Sequence, residues 1–430
     1  MTVIFSKIDS YYRQIKSKII FYPTLLALCG LLFAFIMMYL EERGISHYLI
    51  ENVPVLVLNN GDTALTILSV CITGLISMMV FSFSMVMLLL NQASTNYSPR
   101  LLPGLISDQK HQIILGIYLS SILYCIFILF SIQPTGDQYQ IPGFSVLLGI
   151  LFTVACFYSF IYFIHNISQS IQITHILDRI FLSAESTMQK LLKNEEKEEL
   201  HFPETENWHE YLTEKSGYFQ DFSTEAVLNF CKENETLIEV IPVKGMFVLE
   251  GIPLIRSKKE LTEDEVSTLL NYFHFSREEL VSNNYVLAFK QITEVIAKAM
   301  SPGINDPGTA LNAIDYLTEL FRLRMLKNDE SFITKDDKVY IKVTTVTFED
   351  LLYNVLASIR TYCKQDIIVV RKLGTMFFYL QSQKAAKEDY YECLKREAGR
   401  LLDDAENMLD NRKDLEILDR LAQKLELHRD

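Results

Sequence analysis

Residues Asp62–Arg100 read DTALTILSVCITGLISMMVFSFSMVMLLLNQASTNYSPR, and no charged residue interrupts Thr63–Tyr97. At about 1.5 Å of rise per residue, Thr63–Asn91 is roughly 42 Å of helix, against a hydrocarbon core of about 30 Å. Such a helix crosses a membrane with turns to spare. Thr66, Thr73, Ser77, Ser84, Asn91 and Ser98 recur along it at intervals of seven, four, seven, seven and seven. That spacing gathers small polar groups on one face while Ile, Leu, Met and Phe fill the others. The stripe is either a helix–helix seam or the lining of an uncharged pore. Small hydroxyl residues let helices approach closely, and rings of Ser and Thr pass ions without a fixed charge.

Working outward, three further apolar runs flank this helix. The expected spans are about 19–40, 63–91, 112–132 and 143–165, within a four-helix transmembrane domain over 1–175. None of the four carries an Asp, Glu, Lys or Arg in its interior, which weighs against a proton-coupled carrier. The split in charge explains the rest of the chain. Residues 1–165 hold seven basic and seven acidic residues, so the net charge of −13 belongs to the remaining 265 residues. Basic residues lie in the N-terminus (Lys7, Arg13, Lys16, Lys18) and between the second and third spans (Arg100, Lys110). The positive-inside rule then places both termini in the cytoplasm. Acidity of the second part excludes a nucleic-acid partner, which would need a basic footprint.

Past span 4, residues 166–193 contain no helix breaker, so one helix is expected to run from the membrane into the soluble part. Residues 176–207 are expected as a helical linker and 208–258 as a β-rich subdomain forming a small barrel or meander. Residues 259–430 are expected to be mainly helical, with TEDEVSTLLNYFHF as one short helix and a strand at KVYIKVTTVT. The fold class is therefore an α-helical membrane domain followed by a cytoplasmic α+β domain.

Three groups of candidate site residues emerge. The first is the stripe Thr66, Thr73, Ser77, Ser84 and Asn91. The second is the membrane–cytoplasm junction, with Ser98, Pro99 and Arg100 after span 2 and His165 and Gln169 after span 4. A histidine there is a solvated residue first and a metal or pH sensor second. The third is the loop Ser301-Pro302-Gly303-Ile304-Asn305-Asp306-Pro307. Asp306 suits a helix N-cap with Pro307 at the first helical position. The loop is thus a tight corner, or a surface presenting Ser301, Asn305 and Asp306 to a ligand or partner. The seven cysteines show no CxxC spacing, and no GxSxG, Walker A, HExxH or GxGxxG occurs. No cofactor, metal or enzymatic activity is expected. The expected partners are membrane lipid, further copies of the chain, and an ion or small ligand of unassigned identity.

Ser98-Pro99-Arg100-Leu101-Leu102 and Ser301-Pro302-Gly303-Ile304-Asn305-Asp306-Pro307, with Thr309-Ala310, together resemble a bacterial family of predicted membrane proteins of unknown function. Ser216–Gln220, Gly245–Val248, Gly251–Leu254 and Ile359-Arg360 add to the likeness. The chain departs from the pattern at Asn283-Asn284, Leu287-Ala288, Lys290 and His165-Asn166. The resemblance implies four spans and a cytoplasmic domain, and no activity. The leading expectation is a homo-oligomeric channel-like protein with the second span lining its axis. The alternative is a non-conducting receptor or scaffold that binds through its soluble domain.

Overall fold

Each apolar run becomes a helix in the computed structural model, which describes residues 20–46, 61–96, 109–132, 134–135, 138–139, 142–170, 172–195, 202–277, 284–336 and 338–427. They are α1 (Phe21–Glu42), α2 (Gly61–Asn96), α3 (Gln109–Ser131) and α4 (Gly143–Ser170). All four are long and apolar enough to cross a membrane. Between α3 and α4 lies a minimal hairpin, β1 (Pro134–Thr135) with β2 (Gln138–Tyr139). The basic N-terminus and residues 97–108, with Ser98, Pro99 and Arg100, lie outside the described residues.

Small residues set how closely these helices pack. A Cβ on Gly30 would lie 2.6 Å from the Ser120 carbonyl oxygen, and one on Gly116 would lie 2.6 Å from the Leu26 side chain. Only glycine allows α1 and α3 that contact, as between membrane helices generally. From α2, Ala64, Leu68 and Leu75 join a core with Tyr118, Ile122, Cys125 and Ile128 of α3 and Val146, Cys156 and Phe163 of α4.

The chain divides into two compact units, the second beginning at Ile173. The expected continuity of one helix from the membrane into the soluble part turns on residue 171, which lies outside the described residues. α4 ends at Ser170 and α5 (Ile173–Glu195) follows. The Gln172 amide donates to the Gln169 carbonyl at 3.1 Å. Of the helical linker expected over 176–207, residues 176–195 are helical and belong to α5. Ile176, Leu177, Ile180, Ala184 and Met188 of α5 are buried, against α8 (Tyr285–Ala299) and α9 (Pro307–Met325).

The strand-rich stretch does not close on itself. Its strands are β3 (His209–Leu212), β4 (Gly217–Phe222), β5 (Ile238–Val240), β6 (Phe247–Val248) and β7 (Pro253–Ser257), with helix α6 (Thr224–Glu233) inserted after β4. All three β5 residues are buried, so both faces and both edges of that strand need cover. β10 (Lys338–Val343) supplies one edge by parallel pairing, giving a sheet of order β3-β7-β5-β10-β9 with β9 at Ser331–Lys335. A second, three-stranded sheet has the order β6-β4-β8. Strand β8 (Phe273–Ser276) comes from the stretch expected to continue a helix. Helix α7 (Glu263–Leu270) starts at a Thr262–Glu265 capping box and stops there because Phe273 instead pairs with Phe222, their rings stacked at 5.4 Å.

The remaining helices are α10 (Phe348–Cys363), α11 (Ile367–Gln381), α12 (Asp389–Glu406) and α13 (Arg412–Lys424). The last two form a hairpin whose charged residues leave one apolar stripe, including Tyr390, Leu394, Leu401, Leu402, Leu418 and Leu421, to be buried.

Candidate functional site

The polar stripe of α2 faces away from its own bundle. Ala64, Leu68, Leu75 and Ser82 are fully buried, whereas Thr66, Thr73, Ser77, Ser84 and Asn91 are all exposed. At 100° per residue the two sets lie about 180° apart. Each hydroxyl of the stripe is satisfied by its own helix. Thr66 donates to the Asp62 carbonyl at 2.8 Å, Thr73 to Ser69 at 2.8 Å, Ser77 to Thr73 at 2.9 Å and Ser84 to Val80 at 2.9 Å. Exposed Val70, Val80, Phe81 and Leu88 flank the stripe, and Gly74 beside it borders open space. The face is therefore apolar at its margins, notched and internally hydrogen-bonded.

At the junction, Gln169 and His165 lie 3.2 Å apart, nitrogen to nitrogen, both exposed on α4. Asn166 turns inward instead, and its side-chain amide approaches the Nε2 of buried His111 at 3.1 Å. His111 also packs edge-on against Phe163. No group of three metal-ligating side chains forms among the described residues.

The 301–307 loop is a corner between α8 and α9. Ser301 Oγ donates to the Lys298 carbonyl at 2.7 Å, and the amides of Ile304 and Asn305 both return to the Ser301 carbonyl at 3.0 Å. Asn305 takes the left-handed conformation at φ +49°. Both Asp306 carboxylate oxygens are engaged, accepting from the Thr309 amide at 3.1 Å and the Thr309 hydroxyl at 2.6 Å, with Pro307 opening the helix. Gly308 keeps the cap clear, since a Cβ there would lie 3.3 Å from the carboxylate. Pro302 to Asp306 are exposed.

Several polar groups were not picked out from the sequence. Glu41, expected in the first connection, belongs to the last turn of α1, so an acidic side chain does reach the bundle. Its carboxylate accepts from the Ser145 amide at 2.9 Å and the Ser145 hydroxyl at 2.8 Å, while Ser46 accepts from the Phe144 amide at 2.9 Å. Together they satisfy first-turn amides of α4, where negative charge also complements the helix dipole. Tyr124 donates to the Ser145 carbonyl at 2.9 Å. Deeper in the bundle, Cys156 contacts Ser121 at 3.3 Å. The Tyr118 hydroxyl faces Ser82, yet neither closes a hydrogen bond among the described residues. Leaving such a group unpaired costs about 1–3 kcal/mol.

In the second unit, Arg324 is fully buried and donates to the Lys327 carbonyl at 2.8 Å, the Val346 carbonyl at 3.0 Å and the Asp329 carboxylate. Burial opposes ionisation of Asp329, but the Arg324 guanidinium and the Phe348 amide hold its carboxyl below the usual range. Tyr390, pushed up to about 12 by burial, donates to the Lys327 carbonyl and stacks on Phe348 at 4.5 Å. A second knot ties α10 to α12. Arg360 pairs with buried Glu397 and with Asp404 at 3.1 Å. Burial also pushes the Cys231 and Cys363 thiols up to about 12, so neither supplies a thiolate at neutral pH.

Comparison with known proteins adds a family. The model of the family described as "Predicted membrane protein (DUF2254)" matches residues 16–377, from before α1 into α11. An uncharacterised protein of Mycobacterium tuberculosis (strain CDC 1551 / Oshkosh) is 23% identical over 317 residues, covering 68% of this chain and 58% of that protein. Uncharacterised proteins of Mycobacterium bovis and of M. tuberculosis strain H37Rv are 22% identical over the same shares. The chain thus spans less than two thirds of the length of the curated relatives it matches. No solved structure matches it.

Proposed function

Because the chain belongs to this family of predicted membrane proteins, matched over most of its length, we propose that it acts as a homo-oligomeric, channel-like membrane protein whose α2 helices surround an uncharged pore. One observation carries the proposal. The small polar face of α2 lies opposite the face packed in its own bundle, so a single chain leaves it uncovered. Copies packed about an axis would cover the apolar margins and turn the hydroxyl stripe inward. Hydroxyls already bonded to i−4 carbonyls keep an accepting oxygen for a permeating ion or water. The charge distribution supports an inner-membrane location with both termini and the second unit in the cytoplasm. There the second unit would gate the pore or sense a signal.

A receptor or scaffold working through the 301–307 corner is the weaker reading, because both oxygens of Asp306 are consumed by its own helix. The absence of a catalytic signature supports a non-enzymatic role.

The test is reconstitution of the full chain in planar bilayers. Conductance is expected under voltage or tension, altered by Ser77→Leu and Ser84→Leu. Silent bilayers, or a protein that stays monomeric in mild detergent, would refute the proposal.

A further inference from the structure

We propose that the interior of each four-helix unit is a separate proton path, in which buried polar side chains between Glu41 and His111 hold water. The inference does not depend on the α2 stripe or on oligomerisation. All four helices contribute to the track. Glu41 of α1, Ser145 of α4 and Tyr124 of α3 are joined by hydrogen bonds at one end. Thr153 and Cys156 of α4, Ser121 and Tyr118 of α3 and Ser82 of α2 follow, each less than a tenth exposed. His111 and Asn166 close the other end. From Ser145 to Asn166 is about 32 Å of helix, the thickness of a hydrocarbon core of about 30 Å.

One feature separates this track from ordinary polar packing. On the outside of α2 the hydroxyls are bonded to their own backbone, whereas inside, the fully buried Ser82 and Tyr118 hydroxyls have no hydrogen-bond partner among the described residues. Water satisfies such groups where polar partners converge, and Ser121 and Cys156 are at hand. Water and hydroxyls are donors and acceptors at once. Each can pass one proton on as it receives another, so a proton entering at one end releases one at the other with no net chemical change. The titratable groups on the track are Glu41 and His111 at its ends and Tyr124, Cys156 and Tyr118 between them. Two gaps interrupt it. Ser145 and Thr153 stand about 12 Å apart along α4, and the Thr153 hydroxyl donates to its own Gly149 carbonyl at 2.8 Å. Between Tyr118 and His111, about 10 Å along α3, the buried Ile114 and Phe163 intervene. An apolar constriction of that kind gates by wetting.

Full-length protein in vesicles with a trapped pH-sensitive dye, under a potassium-diffusion potential, provides the test. Proton uptake should exceed that of protein-free vesicles. It should fall about tenfold in Tyr118→Phe and in Ser82→Ala, which remove a relay group at little change in shape. Cys156→Ser, which keeps a protonated relay atom, should retain flux, and Phe163→Ala should raise it. Ser77→Leu and Ser84→Leu should leave it unchanged even where they alter ion conductance. Size-exclusion profiles matching the wild type establish that each variant is folded. Uptake no faster than in protein-free vesicles overturns the proposal. So do wild-type rates in both Tyr118→Phe and Ser82→Ala, or loss of proton flux in Ser77→Leu.

Discussion

Replacing Arg324 by Leu should unfold the second unit at markedly lower denaturant than the wild type. Arg324 is fully buried and holds the Lys327 and Val346 carbonyls and the Asp329 carboxylate. Leucine fills part of the volume and supplies no donor. Breaking a buried pair from one side costs about 3–5 kcal/mol, because the remaining charge stays in place without its partner. The two orphaned carbonyls keep the cost toward the upper end. Against a total stability of about 5–15 kcal/mol this is a large fraction. With a urea slope of about 3 kcal/mol/M, the midpoint falls by about 1–1.7 M. Trp208 is the only tryptophan and lies in the second unit, so its fluorescence reports that transition in full-length protein in detergent. The double variant Arg324→Leu/Asp329→Leu should recover at least half of the loss, since an apolar pair of similar volume leaves no stranded charge. A midpoint change equivalent to less than about 0.5 kcal/mol for Arg324→Leu, or a double variant less stable than the single, would refute the reasoning.

The same carboxylate predicts an acid response. Its folded-state value is held below the ordinary 3.8. Its stabilisation is therefore complete above that value and is lost as pH falls through the lower folded one; acid titration followed by Trp208 should show a shallower loss in Asp329→Asn. Glu41→Ala removes the acceptor for the Ser145 amide and hydroxyl and should cost about 1–2 kcal/mol, read as a lower thermal midpoint of the detergent-solubilised protein. Glu41→Gln, which keeps an acceptor, should lose less. Asp306→Ala deletes an N-cap worth about 1 kcal/mol and Asp306→Ser should restore most of it; equal stability of all three proteins by urea titration would show that the cap contributes nothing. Gly30→Val should prevent α1 from seating on α3 and appear as poor recovery of monodisperse protein, whereas Gly74→Val, beside open space, should not.

Hydropathy made the four spans legible because membrane helices must satisfy their backbone internally, leaving length and apolarity as their signature. The 301–307 corner was equally legible, as Asp306 and Pro307 act through local geometry. Non-local pairing was not. Phe273 lies in a helix-compatible stretch and becomes a strand only because β4 offers it Phe222. Glu41 read as a connection residue because its partner Ser145 is more than a hundred residues away. For the candidate site, spacing revealed the α2 stripe, and only the packed bundle distinguishes its exposed hydroxyls from the buried ones of Ser82, Ser121 and Ser145.

The parallel pairing of β5 with β10 bears on how the chain is made. Val240 of β5 meets Val343 of β10, so the strand is finished about a hundred residues before its neighbour. At about 5–20 residues per second, a ribosome leaves that edge bare for about 5–20 s. A strand with an open edge invites pairing with other nascent chains. During that interval the first half of the sheet depends on chaperones or on early docking of α6, and a ribosome stalled between the two strands would release an aggregation-prone fragment.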